Sequence, residues 1–272
     1  MTVTPFSATL AARRRDGDTV HFELGEDWQQ GRTAYGGVVC AIAAQAMRDV
    51  AGADWTPDVS LRALQCSFVS VVAAGAVSVQ VKVLRQGRNV CQVQARVFED
   101  GRLGSVLLGV YSASRPSALA PRWPTAPAVD AAASLPDTPY MDGVQPPFLQ
   151  HLAIRAARPA WPFAGRRVDE SVLHLRLRDA QAPSIAPEVL AVLLGDVPPT
   201  PAISGLTAIA PTSSVTWSLE LRPLAGVEAG GWWRIDSESV CVDGGYVNHA
   251  ARLWAPDGRL AALGTQLVTV FG

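Results

Sequence analysis

The segment Ala95-Arg96-Val97-Phe98-Glu99-Asp100-Gly101-Arg102-Leu103 is answered near the end of the chain by Ala251-Arg252-Leu253-Trp254-Ala255-Pro256-Asp257-Gly258-Arg259-Leu260. Each copy reads as an alternating strand, an Asp-Gly turn and a further apolar strand. The match continues in both directions with one inserted residue. Repetition on this scale marks a duplicated structural unit. There are two long copies rather than many short ones, so the pattern predicts a duplicated domain and not a solenoid. Duplicated copies can diverge. A polar residue that only one copy keeps inside a strand or helix is therefore a candidate for chemistry.

A length of 272 residues suits two ordinary units and a connection. With 49% hydrophobic and 17% charged residues, the chain can build a sizeable core and is not disordered. A net charge of −1 gives no electrostatic case for nucleic acid or an anionic membrane as partner. No apolar run approaches the roughly 20 residues that span a bilayer. Met1 to Arg15 lacks the apolar core of a signal peptide. Cys40, Cys66, Cys91 and Cys241 sit in apolar stretches without CxxC spacing. Together these features predict a cytoplasmic protein with buried free thiols.

Residues 76–84 alternate, with Val77, Val79, Val81 and Val83 on one face and Ser78, Gln80 and Lys82 on the other. This is the pattern of a half-buried strand. A turn at Arg85-Gln86-Gly87-Arg88 leads to a second alternating strand over 90–98, and Asp100-Gly101 signals a hairpin. The strand 103–112 is almost wholly apolar and is expected mid-sheet and covered. Short turns between consecutive strands predict an antiparallel meander. Ahead of it, Tyr35-Gly36-Gly37 opens an apolar run from Val38 to Val50, which predicts a helix buried on all sides. The paired glycines let another backbone approach the helix start.

Residues 113–147 hold 8 of the 20 prolines and show no periodicity, so they read as an extended linker. The second unit repeats the order of the first. A helix is predicted from Ser184 to Asp196, with Pro187 in its first turn and Pro198-Pro199 as its stop. Strands are expected at about 213–222, 231–240, 246–255 and 260–270. Each unit is thus one buried helix followed by an antiparallel sheet that curls around it. The two sheets are expected to join edge to edge, which protects their edges.

This order of elements, with its motifs, resembles the double hot-dog thioesterases, specifically the bacterial acyl-CoA thioesterase II (TesB-like) group. The resemblance covers nearly the whole chain. It rests on Trp28 followed by Gly31-Arg32-Thr33-Ala34-Tyr35-Gly36-Gly37, and on the hairpin Leu84-Arg85-Gln86-Gly87-Arg88-Asn89. It rests also on Arg222-Pro223 and on Trp254, Asp257-Gly258 and Gln266 near the C-terminus. The fold it implies is α+β, a double hot-dog: an N-terminal hot-dog over 1–115, a Pro/Ala-rich linker over 116–147 and a C-terminal hot-dog over 148–272. The activity it implies is hydrolysis of acyl-CoA to free fatty acid and coenzyme A, in fatty-acid metabolism. It implies no cofactor beyond the coenzyme A thioester as substrate, and a homo-oligomer.

In that group an Asp on the second helix, a hydroxyl at the start of the next strand and a C-terminal Gln hold the hydrolytic water. Carried onto this sequence, these are Asp196, Ser213 and Gln266. Thr212 or Ser214 could fill the hydroxyl role. The family often carries an Asp-His pair just after the hydroxyl, and here Val215-Thr216 stands in its place. Gly36, Gly37 and Gln45 are the candidate substrate-binding residues, and no metal site is expected.

Read on their own chemistry, these residues each have a blander alternative. Asp196 ends an apolar helix at the negative end of its dipole, so burial there would raise its pKa toward that of a general base. The alternative is an Asp turned out to solvent. Gln266 lies on an apolar strand, and overlaying the repeats at Asp-Gly-Arg-Leu sets it against Gly109. The alternative is a Gln on the solvent face of an edge strand. Overlaying the helices at Gly37 and Glu188 sets Asp196 against Gln45. One active site per chain, built mainly by the second copy, follows from that asymmetry. A mid-helix Gln45 is more often just hydrogen-bonded locally, and a hydroxyl such as Ser213 often serves nearby backbone.

No G-x-S-x-G elbow, phosphate-binding glycine loop or metal-ligand spacing of histidines accompanies these residues. Neither helix carries the His of a hot-dog dehydratase. His249, beside Asn248 on a strand, reads as a structural histidine with its hydrogen bonds satisfied. Trp217, Trp232, Trp233 and Trp254 read as core or oligomer contacts. The rival to a hydrolase is a hot-dog pair that binds an acyl thioester without cleaving it.

Overall fold

Val77, Val79 and Val81 turn inward from one strand, as their alternation predicts, and what they cover is a helix, whereas Val83, beside a bulge, is exposed. The computed structural model describes residues 3–271. Met1 and Thr2, at the start of the segment read as lacking a signal peptide, lie outside it, as does Gly272. The first half contains helix α1 (Phe6–Ala11), strands β1 (Arg14–Asp16) and β2 (Thr19–Leu24), and a small hairpin of β3 (Gln29–Gln30) and β4 (Thr33–Ala34). Helix α2 (Gly36–Ala51) follows, then β5 (Ser60–Phe68), β6 (Gly75–Gln86), β7 (Cys91–Glu99) and β8 (Arg102–Ser112). The second half contains β9 (Leu152–Arg158), β10 (Glu170–Leu177), helix α3 (Pro187–Gly195), β11 (Thr212–Leu221), β12 (Trp233–Asp243), β13 (Tyr246–Trp254) and β14 (Leu260–Val270).

Twelve of these strands form one sheet in the order β1-β2-β6-β7-β8-β5-β11-β14-β13-β12-β10-β9. Read from the two outer edges inward, the order is the same: each half contributes its counterpart at each place. The halves meet where β5 pairs antiparallel with β11, from Thr216 opposite Ser67 to Glu220 opposite Ala63. This is the edge-to-edge join expected from the sequence, and the fold is the α+β double hot-dog.

Helix α2 is buried around its girth, with Val38, Val39, Cys40, Ala41, Ile42, Ala43, Ala44, Ala46 and Met47 all in the core. It runs antiparallel to α3. Its start lies against the end of α3, where a Cβ at Gly37 would stand 2.6 Å from the Leu193 carbonyl oxygen. Only glycine permits that approach. The Tyr35 hydroxyl donates to the same carbonyl at 2.7 Å, and its ring stacks on Phe148 from the second half at 4.0 Å between centroids. At the other end of the helix pair, Arg48 bonds Glu188. Among the described residues no helix is long and apolar enough to cross a membrane.

Four expectations are corrected. Helix α3 starts at Pro187, not Ser184, because proline disfavours a helical residue before it and Ala186 is extended. Strands β1, β2, β9 and β10 precede the helices, so each unit is more than a helix followed by a sheet. Strand β8 is mid-sheet as expected but not fully covered, since Leu108 is 40% exposed on its outer face. Three of the four thiols are buried, whereas Cys241 is exposed beyond a bulge in β12. Trp217, Trp233 and Trp254 are core residues, and the guanidinium groups of Arg155 and Arg176 each lie 4.7 Å from the ring centre of Trp232.

Candidate active site

Asp196 caps the C-terminal end of α3, directly in front of the N-terminal turn of α2. The sequence sets it at the unfavourable end of its own helix dipole. The fold brings it to the favourable end of the other helix, where unpaired N–H groups point outward. The N–H of Gly37 faces the carboxylate and favours its charged form. Burial opposes this more strongly and pushes the Asp196 pKa up to about 7. The carboxylate keeps a narrow contact with solvent through a cleft of about 330 Å³ between the halves.

Gln266 reaches the same place from β14. This strand is not an edge, since β11 and β13 flank it. The Gln266 Nε2 group donates to Asp196 Oδ1 at 2.7 Å and to the Ser214 hydroxyl at 2.8 Å. Both hydrogens of the amide are thereby used, and the cleft is lined by all three residues.

Of the three candidate hydroxyls, Ser214 is the one bonded to Gln266. Ser213 is exposed, and its Oγ has only a long 3.5 Å contact to the Ser214 carbonyl. Ser214 takes the place beside Gln266. The reason is a β-bulge between Ser214 and Thr216, which resets the alternation of β11 just before the site. Ser213 and Thr212 still line the cleft mouth.

Gly36 also lines the cleft, and a Cβ there would stand 2.6 Å from Asp196 Oδ2 and 3.2 Å from the Phe68 ring. Gly37 serves the packing of α2 on α3. Gln45 is outside the cleft. Its amide donates to Asp49 at 2.8 Å, and Asp49 is also held by Arg13, so Gln45 belongs to a structural network.

The duplicate position shows why only one half carries the constellation. The first half has a matching bulge in β5, between Leu61 and Ala63. Overlaying the halves through the two bulges and the Asp-Gly turns sets Leu61 against Ser214 and Gly109 against Gln266, while Gln45 stands against Asp196. A side chain at Gly109 would meet Met47 Sδ at 2.6 Å, and Tyr111 fills the neighbouring space with its hydroxyl on the Ala44 carbonyl. The equivalent volume is occupied by core.

His249 departs from its expected role. It is buried opposite Gln266 on β13, yet neither ring nitrogen has a hydrogen-bond partner. Position on an inward face was readable from the alternation of β13. The missing partners were not.

Residues 24–114 match the family model for the acyl-CoA thioesterase N-terminal domain, and residues 127–270 match that for the acyl-CoA thioesterase C-terminal domain. Among solved structures, a conserved hot-dog-fold protein of unknown function from Alicyclobacillus acidocaldarius superposes with a TM-score of 0.82 at 19% identity, covering 99% of both chains. A tesB protein from Mycobacterium avium subs paratuberculosis gives 0.77 at 14% identity, over 99% of this chain and 100% of its own. The acyl-CoA thioesterase II TesB2 from Mycobacterium marinum gives 0.74 at 13% identity, over 97% of this chain and 98% of its own. No curated protein matches the sequence.

Proposed function

The chain belongs to the acyl-CoA thioesterase family and is a thioester hydrolase, and we propose that it cleaves acyl-CoA with a water activated by Asp196, Ser214 and Gln266. The observation that carries this reading is the Gln266 amide, bonded at once to Asp196 and Ser214 at the floor of the cleft. An amide so used fixes a carboxylate and a hydroxyl on one small volume, which suits the holding of a water molecule.

With a pKa of about 7, Asp196 is poised to accept a proton near neutrality. In the scheme, water loses a proton to Asp196 as its oxygen bonds the thioester carbonyl carbon. The carbonyl oxygen gains the negative charge. The Gly36 N–H, in the first turn of α2 on the cleft wall, is the backbone donor assigned to that developing charge. Collapse of the tetrahedral intermediate breaks the C–S bond. The sulfur leaves as thiolate and takes the proton back from Asp196, leaving a carboxylic acid. The scheme uses water, these side chains and one backbone N–H.

The same reading makes the protein cytoplasmic, in keeping with its free thiols, and gives it a role in fatty-acid metabolism. It also makes the protein a homo-oligomer.

The test is thiol release from short, medium and long acyl-CoAs, with Asp196→Asn in parallel. Release that collapses in the variant is the expected result. Release that survives it would leave the family intact and move the site elsewhere. No release from any of the panel would overturn the substrate class.

A further inference from the structure

Two buried polar side chains and one half-buried amide lie in one cross-strand row on the inner face of the second half. Ser239 on β12 is directly opposite His249 on β13, and His249 is directly opposite Gln266 on β14. Cross-strand neighbours on one face have Cβ atoms about 5 Å apart, within side-chain reach. At its outer end the row is anchored. The Ser239 Oγ accepts the Ala202 N–H at 2.8 Å and lies 3.0 Å from the hydroxyl of Thr200, itself on the cleft wall. At its inner end is the amide that holds Asp196.

The middle of this row is incomplete. His249 is 6% exposed and both ring nitrogens lack a partner. Two orphan nitrogens of this kind carry a desolvation cost that packing alone does not explain. The Gln266 Nε2 group spends its two hydrogens on Asp196 and Ser214, while its Oε1 receives no hydrogen bond from protein among the described residues. A donor without an acceptor thus adjoins an acceptor without a donor.

We propose that His249 is a positioning residue, whose ring N–H bonds Gln266 Oε1 and so holds the amide with its NH2 group toward Asp196 and Ser214. An amide can flip, and the flipped form would set its oxygen against the Asp196 carboxylate. His249 makes that orientation unfavourable, because its N–H would then face an NH2 group. Such bonds are commonly loose in a free enzyme and tighten when substrate is bound.

Burial also suits the role. It lowers the His249 pKa to about 4, with the Gln266 amide acting in the other direction. The ring is therefore neutral throughout the range in which Asp196 titrates. It supplies a fixed donor and adds no charge beside the base.

The inference rests on the proposed role of Gln266, and its test separates the two. His249→Phe, His249→Gln, Gln266→Ala and the double variant His249→Phe/Gln266→Ala are compared for kcat and KM on one acyl-CoA. The Asp196 carboxyl is titrated in each by 13C NMR of labelled aspartate. His249→Phe is expected to lower kcat by about 10²-fold with KM little changed, the scale expected for a misplaced group. His249→Gln, which restores a donor, recovers most of that loss. The double variant is no slower than Gln266→Ala. The Asp196 midpoint moves upward in His249→Phe, as it does in Gln266→Ala, because a bond to the charged form is lost.

Additive losses in the double variant, or an Asp196 midpoint unmoved by His249→Phe, would overturn the proposal. If the parent protein hydrolyses no acyl-CoA, the functional reading fails, and the Asp196 titration alone then decides the role of His249.

Discussion

No side chain can stand at position 36 while Asp196 occupies its place: a Cβ on Gly36 would lie 2.6 Å from Asp196 Oδ2. The glycine and the carboxylate are 160 positions apart in the chain. Gly36→Ala is expected to displace the carboxylate from Gln266 and to lower kcat/KM by about 10²-fold, the scale for a misaligned catalytic group. Thiol-release kinetics, with circular dichroism to verify the fold, measures this. An alanine variant of unchanged rate would mean that Asp196 is elsewhere in the working enzyme.

The raised pKa of Asp196 has a consequence for stability as well as rate. Its folded value of about 7 exceeds the ordinary carboxylate value of 3.8, so the folded state holds more protons between those limits. Stability contributed by this group therefore falls as pH rises from 4 to 7 and stays lost above. Asp196→Asn, which carries no charge, should gain stability relative to the parent across that window. The gain is at most about 4 kcal/mol, since each pKa unit is worth 1.36 kcal/mol, and the water admitted by the cleft reduces it. Urea titrations at pH 4 and pH 8 check the sign. A stability difference that does not change with pH would contradict the assigned pKa.

The same ionisation sets the rate profile. Activity should rise with pH through about 7 and then level, as Asp196 becomes the carboxylate that accepts a proton. The profile of kcat/KM for a single acyl-CoA measures it. A rate that is flat from pH 5 to 9 would exclude this group as the base.

Neighbouring serines should behave unequally. Ser214→Ala removes the hydroxyl bonded to Gln266 and should lower kcat about 10-fold, close to the loss of one ordinary hydrogen bond. Ser213→Ala, which touches only a local carbonyl, should leave the rate within about twofold by the same scale. Reversed effects would mean that the bulge in β11 lies one residue away from its present place.

Gln45 supplies a control on the silent half. Gln45→Ala should cost about 1 kcal/mol of stability through the lost bond to Asp49 and leave kcat/KM unchanged. Thermal melts and thiol release separate the two. A fall in rate without a fall in stability would give Gln45 a part in the cleft after all.

The repeated Asp-Gly-Arg-Leu segments made the duplication legible, because each copy keeps its hairpin signal. Asp196 and Gln266 were singled out by the family resemblance, and each stands in an otherwise apolar element with no like counterpart in the other copy. Ser214 was not singled out over Ser213, since a bulge changes which residue faces inward and leaves no mark on composition. Strand β10 was missed for a related reason. Val172, Leu175 and Leu177 are buried along with Ser171 and His174, so its burial does not alternate as that of a half-covered strand does. Ala186 and Pro187 could have shortened α3 on paper. The apolar run around them hid that boundary.

The join between β5 and β11 also orders events during synthesis. Strand β5 ends at Phe68, and its partner is complete only at Leu221. At ribosomal speeds of roughly 5–20 residues per second, the interval between them is on the order of ten seconds or more. Throughout that time a nascent first half presents one side of a nine-residue strand with its backbone groups unpaired. The newborn chain therefore carries a transient sticky edge that the finished protein conceals.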